Sequence, residues 1–248
     1  MPQKRKKAVV VGVGPIEGLG GGVARRFAAN GCHVLVAGRT REKLDLVVEH
    51  IRQAGGSAIA VPTDASDPAA VEALFDLAMA DDDSGSPANL VVHNVGNNQP
   101  LPLLDITPEL FESFWRMNTL SGFLVAQAVA RRFVVAGGGT LIFTGASGSL
   151  RGMARYAHFA SSKAGLRMVA QSMAREYGPQ GIHVAHALID GGIDGERLRL
   201  RFPEFRAQRG ADGMLDIDAI AEAYWQLHLQ PRSAWTQELD LRPFKENF

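Results

Sequence analysis

The sequence predicts a doubly wound α/β domain, a parallel sheet with helices on both faces. Three observations carry this reading. The apolar run Ala8–Val11 shows no polar alternation, which suits a strand covered on both sides, and it enters a glycine-rich turn and then a helix pattern. Strand-like and helix-like segments then alternate nearly to the end of the chain. No repeat or linker interrupts the 248 residues, enough for one large domain.

Taken in order, the turn Gly12–Gly20 precedes a helix with Leu19, Val23 and Phe27 on one face. His33–Ala37 reads as the second strand, and Arg41–Ala54 as a helix with Leu44, Val47, Val48 and Ile51 in line. Ser57–Pro62 is the third strand. Pro68 opens a helix through Ala80, where its missing N–H costs nothing. Asp81–Pro87 reads as a solvated polar loop and Asn89–Asn94 as the fourth strand. A long helix from about Phe111 past Arg132, broken near Met117, leads through Gly137-Gly138-Gly139 into a fifth strand, Thr140–Thr144. A helix His158–Tyr177, a strand His183–Leu188, an irregular charged stretch Asp190–Gly213, a helix Asp216–Leu229 and a last strand Ala234–Leu241 complete the pattern. The whole reads as one domain over 1–248, with a basic tail at 1–7 and a substrate loop or lid at 190–213.

Composition narrows the function. The formal net charge is zero, which gives no support for nucleic acid or a membrane surface as the main partner. No segment reads as a signal peptide or a membrane span. The single Cys32 excludes an intrachain disulfide and fits a reducing compartment, so a cytoplasmic protein is expected. No metal site is expected: His183 and His186 lie three apart in a strand pattern and face opposite sides, and Asp190 and Asp194 read as exposed.

The first turn is the candidate ligand site. Gly14, Gly18 and Gly20 allow close backbone approach, and the helix behind them aims free N–H groups and its positive dipole end at the turn. That is a place for a phosphate or pyrophosphate. The second strand ends without an acid to bind a ribose 2′-hydroxyl. It carries Arg39, whose guanidinium suits a 2′-phosphate.

With these positions in order, the chain resembles the short-chain dehydrogenase/reductase superfamily from end to end. Gly14-Pro15-Ile16-Glu17-Gly18-Leu19-Gly20 matches the G-x-x-x-G-x-G cofactor loop, and Gly12 precedes it. Asp64-Ala65 matches the pair that meets the adenine, and His93-Asn94-Val95-Gly96 stands where relatives write Asn-Asn-Ala-Gly. Asn118 and Lys163 fall at the positions of the catalytic asparagine and lysine. The resemblance implies a Rossmann-like fold and a dinucleotide, NADP before NAD, held by Gly12, Gly14, Gly18, Leu19, Gly20, Arg39, Asp64, Ala65, Asn94, Gly96, Lys163 and Ile193. It also implies a homodimer or homotetramer built through the two long helices and the last strand.

The same resemblance exposes a departure. The position of the family's proton-donating tyrosine, four before Lys163, is Phe159; that of its serine, thirteen earlier again, is Ala146. Both changes remove the polar atom. Pro-Gly before the nicotinamide loop becomes Asp190-Gly191, and the usual threonine becomes Gly195. Two readings follow. In the first, Tyr156, seven residues before Lys163, takes the spacing of the enoyl-thioester reductase branch and steadies an enolate oxygen. The chain is then a non-classical reductase of a small, anionic or thioester-linked substrate, with Lys163, Asn118 and Tyr156 as its catalytic set. In the second, Tyr156 merely packs, and the chain is a cofactor-binding sensor, scaffold or subunit. His158 reads as a surface residue. Arg197, Arg199, Arg201, Arg206 and Arg209 either recruit an anion or form the solvated face of a lid.

Overall fold

A computed structural model describes residues 4–246. Seven parallel strands form one sheet in the order β3-β2-β1-β4-β5-β6-β7. In sequence they are β1 (Lys6–Val11), β2 (His33–Gly38), β3 (Ser57–Pro62), β4 (Ser86–His93), β5 (Gly139–Thr144), β6 (Ile182–Ile189) and β7 (Glu238–Leu241). The helices are α1 (Leu19–Ala29), α2 (Arg41–Gln53), α3 (Pro68–Met79), α4 (Pro108–Trp115), α5 (Ser121–Ala136), α6 (Ala157–Tyr177), α7 (Glu196–Arg201), α8 (Pro203–Arg209) and α9 (Ile217–His228). The order reverses between β1 and β4, and such a switch point opens a crevice beyond the carboxyl ends of those strands.

Alternate residues of each strand feed two cores. Val10, Val36, Val92 and Ala185 face α1, α2 and α9, where Val23, Phe27, Leu44 and Tyr224 are buried. Val9, Val91, Leu141 and Val184 face α3, α5 and α6, where Phe75, Phe133 and Leu166 are buried. Helix starts follow local chemistry. Asp67 caps α3 ahead of Pro68, Thr107 caps α4 ahead of Pro108, and the Asp216 carboxylate accepts from Ala219 N at α9. Between α4 and α5 the chain makes one π turn, Arg116–Leu120, which accounts for the break expected near Met117.

Several expectations need correction. Lys6 and Lys7 belong to β1 rather than to a tail, and residues 1–3 of that tail lie outside the described residues. Lys7 is buried and its ammonium donates to Leu77 O, Ala80 O and the Asp82 carboxylate. The loop acid Asp82 is therefore a counter-charge to a buried lysine, and its pKa is lowered first by that hydrogen bond. The continuous helical run 108–136 is long and apolar enough to cross a membrane, with mean hydropathy 1.3 over its most apolar window, of which half is buried in this fold. Phe111, Trp115 and Phe123 on that run and Met168 on α6 remain exposed, on the helices expected to meet a second copy. The stretch 190–213 is not irregular: it folds into α7 and α8. The last strand is shorter than expected, beginning at Glu238.

Candidate active site

A cleft of about 420 Å³ opens at the carboxyl ends of β1, β4, β5 and β6. One wall is the glycine turn. At Gly12, φ is +90°, and an added Cβ would sit 2.6 Å from Val95 N and 2.7 Å from the Asn94 carbonyl carbon. Only glycine fits there. Gly20 is crowded in the same way, by Val13 and by the Asn94 amide that donates to Gly12 O at 3.3 Å. Gly14 differs: it lines the cleft, and a Cβ on it would meet no protein atom within 4 Å. Its bareness serves the space in front of it. Gly18 caps α1 with no side chain to satisfy the first amides, and no acid stands in the first turn. The loop therefore presents unpaired N–H groups and a positive dipole end to an open space, and a dinucleotide pyrophosphate fits both. Glu17 also lines the cleft, but its charge is taken up by Arg199 at 2.6 Å.

The opposite end of the cleft is formed by Thr144, Gly145, Ala146, Phe159 and Lys163. Lys163 donates to Thr144 O at 2.9 Å and Val95 O at 3.2 Å, and burial pulls its pKa down to about 8. Asn118, in the π turn, donates to Phe114 O and to Ser162 Oγ, both at 3.1 Å. Its Oδ1 is buried without a hydrogen-bond partner. A Cβ on Gly96 would lie 3.0 Å from Lys163 Nζ and 3.2 Å from Asn118 Oδ1, so the two side chains converge where Gly96 leaves room. His93 is buried on Ser121 Oγ at 2.8 Å, and burial drives its pKa down to about 3.

Other expected residues lie apart from this cleft. Arg39 and Asp64 are exposed at the ends of β2 and β3, with Ala65 buried beside them, outside the cleft lining. Asp64 accepts from Ser66 N and Oγ, which lowers its pKa, and the charge of Arg39 adds to that. Tyr156 is half-buried at the start of α6 and does not line the cleft; its ring stands edge-on to Phe159 with centroids 6.2 Å apart. Ser149 Oγ accepts from Ala146 N at 3.2 Å, and Ser147 hydrogen-bonds to Asp190. His158 is buried, against the surface reading, packed edge-on to Phe114 at 4.3 Å because α4 crosses its face of α6. Asp190 is likewise not exposed: it is 3 % accessible and held by Arg151 at 3.0 Å and Arg242 at 3.1 Å. Among the described residues, no three His, Cys, Asp or Glu side chains are grouped to hold a metal ion.

The cleft also has a roof that was only partly foreseen. Ile193 lines it, bridged to Leu215, and Arg197, Leu198 and Phe202 close it from α7. Two clasps hold that helix across the cleft. Glu196 N and the Arg199 guanidinium bind Glu17, and Arg197 donates to Asn98 O at 2.6 Å and Oδ1 at 3.0 Å. Arg197 had a weak signal in the sequence, as one of five arginines. Asn98 and Thr144 had none, because their place depends on how the loops return over the sheet.

The model of a family described as short chain dehydrogenase matches residues 6–198, a range that contains the glycine turn, Asn118 and Lys163. The chain belongs to that family. This short chain dehydrogenase is 38% identical to a solved short-chain dehydrogenase from Rhodopseudomonas palustris, which covers 96% of it and is itself covered to 98%, with a TM-score of 0.79. It is 30% identical to versicolorin reductase of Emericella nidulans over 76% of this chain and 69% of that one. A short-chain dehydrogenase/reductase of Hericium erinaceus is 32% identical over 71% of each chain. Similarity to oxidoreductases over this length makes the dehydrogenase an oxidoreductase by type, with a site that fits a nicotinamide dinucleotide.

Proposed function

We propose that this chain is an NADPH-dependent reductase of a small organic substrate, acting on a conjugated C=C bond. The observation that carries the proposal is the pairing of a complete dinucleotide cradle with an apolar reaction face. Gly14 and the bare α1 amides stand at one side, and Lys163 with Ala146 and Phe159, at the positions where the resemblance sets the family's serine and tyrosine, at the other. Arg39, exposed and without a carboxylate salt bridge among the described residues, supports the 2′-phosphate of NADP over NAD. When bound, the dinucleotide supplies the hydride. The residues of the chain do the rest. Lys163 holds the ribose and keeps a positive charge under the reacting atoms. Asn118, through its open Oδ1, orders the proton path beside Gly96. Hydride addition to the β carbon would move the electron pair to the carbonyl oxygen as an enolate; Tyr156, packed on Phe159 outside the lining, turns in to donate a hydrogen bond to that oxygen, and the α carbon then takes a proton from solvent. No phenol is needed at position 159.

A second reading, a dinucleotide-binding protein without redox turnover, is favoured by the same Ala146 and Phe159, since neither can bind or protonate a carbonyl oxygen. One experiment separates the two. NADPH and NADH are titrated against the protein by tryptophan fluorescence, with Arg39→Ala as control, and enones are then supplied. Micromolar NADPH affinity, weakened about tenfold or more in the control, is expected. Enone reduction that falls about 10²-fold in Tyr156→Phe is expected as well. Tight binding with no turnover of any enone or ketone favours the second reading. No binding of either nucleotide at millimolar concentration removes both.

A further inference from the structure

The five arginines of the lid are not equivalent. Arg199 pairs with Glu17 at 2.6 Å and Asp194 at 3.8 Å; Arg206 takes Asp194 through two nitrogens at 2.8 and 3.0 Å. Arg209 pairs with Glu246 at 3.1 Å, and Arg201 lies over the Phe202 ring away from the cleft lining. Arg197 alone lines the cleft and meets no carboxylate among the described residues. One of its nitrogens donates to neutral Asn98. Its Nε and Nη1 have no acceptor among the described residues; they lie on different edges of the fork, so each keeps an N–H to give to an oxygen of an anion. Of the other charges of the lining, Glu17 is neutralised by Arg199, while Lys163 donates to two carbonyls and, like Arg197, meets no carboxylate among the described residues. The cleft therefore carries two cations without a carboxylate partner among the described residues, Lys163 beside Gly96 and Arg197 at its roof, the latter over an apolar surface of Ala146, Phe159, Leu198 and Phe202. Burial and the nearby charge of Arg201 both lower the pKa of Arg197, consistent with a cation still lacking its counter-charge.

We propose that Arg197 binds the carboxylate of the substrate, so that the reductase acts on small organic acids whose reducible group lies against Phe159 and Ala146. This rests on the reductase reading given above. The dinucleotide's pyrophosphate offers the same chemistry, but the glycine turn already provides amides for it, so the anion assigned to Arg197 is the substrate's.

The test uses 4-oxo-4-phenylbutanoate, the saturated product analogue of an unsaturated keto acid, and its methyl ester. Calorimetry measures both on NADP-saturated and on cofactor-free protein, for the wild type, Arg197→Ala, Arg197→Lys and Asn98→Ala. A guanidinium–carboxylate pair worth about 1.5–3 kcal/mol gives the acid roughly a ten- to hundredfold preference over the ester. That ratio is expected to fall near one in Arg197→Ala, to be intermediate in Arg197→Lys and to persist in Asn98→Ala, where the cation stays but its clasp is gone. Equal binding of acid and ester to the wild type, or no binding of the acid, overturns the proposal. So does a ratio that survives Arg197→Ala, or one lost equally in Asn98→Ala, which makes Arg197 a lid support only. Loss of NADP affinity in Arg197→Ala with the acid preference intact assigns the anion to the dinucleotide instead and also overturns it. Should NADP itself not bind, the reductase reading fails, while the ratio on cofactor-free protein still decides the anion site.

Discussion

The two halves of the sheet are held in different ways. From β1 to β3 the strands are hydrocarbon beyond their first residues, where Lys7 meets Asp82 and His33 meets Ser57, and the site they build is made of backbone, with glycines where chain meets chain and free amides where a ligand fits. From β5 to β7 the work falls to side chains. Glu238 takes Arg167 at 2.6 Å and His186 at 3.1 Å, Asp190 takes Arg151 and Arg242, and α7 is clasped to Glu17 and Asn98. A backbone-built site is insensitive to charge and intolerant of added atoms. A site built from ion pairs is the reverse.

Acid is the widest break between them. His93, His186 and His228 are pushed by burial to about 3, 4 and 4, below the ordinary 6.5. The unfolded chain then binds more protons than the folded one between those values and 6.5, so their stability is complete above pH 6.5 and drains away as pH falls. Each should lose about 1–2 kcal/mol between pH 7 and pH 5. Asp190 and Glu238 add to the loss only lower down. Burial alone would raise Asp190, but Ser147, Arg151 and Arg242 bring it below the usual carboxylate range, and Arg167 does the same for Glu238. Urea unfolding across this range, with hydrogen exchange reporting each strand, should show β5–β7 weakening before β1–β3. A flat profile removes the contrast.

Gly12→Ala is the next largest break, on the other side. Positive φ and backbone contacts under 3 Å should together cost about 3 kcal/mol or more. Gly14→Ala sharpens the point: it should leave the melting temperature nearly unchanged and weaken NADPH binding, since its methyl group enters only the ligand's space. Smaller still is Asp190→Asn, about 2 kcal/mol by thermal melting, from the lost charge on two arginines.

The same division governs what could be read beforehand. The strands, the amphipathic helices and the glycine turn carry local signals, since Leu44, Val47, Val48 and Ile51 reach one face through spacing alone. Of the cleft-lining members of the site, Gly12, Gly14 and Lys163 stand on such elements, Asn94 and Gly96 directly follow β4, and Ile193 lies four residues past β6. What escaped were long-range pairings. Lys7 meets Asp82 across 75 positions, and Asp190 meets Arg151 across 39. Nothing near Asp82 or Asp190 in sequence distinguishes a counter-charge from a solvated acid. His158 escaped for a similar reason, because its burial depends on where α4 crosses α6. The lid helices, six and seven residues long with no buried residue, offer too little periodicity to be seen.

The position of β1 has a consequence for how the chain is made. β1 is made before both of its neighbours yet is an inner strand, paired on one edge with β2 and on the other with β4, residue Val9 lying between Leu35 and Val91. Its first edge can be covered once β2 has emerged. Its second stays open until Val91 and its neighbours follow, so a nascent chain carries an unpaired strand edge, apolar from Ala8 to Val11, until β4 is made. The exposed charges at the head of that strand, Lys4, Arg5 and Lys6, are the part of the nascent edge that water can hold.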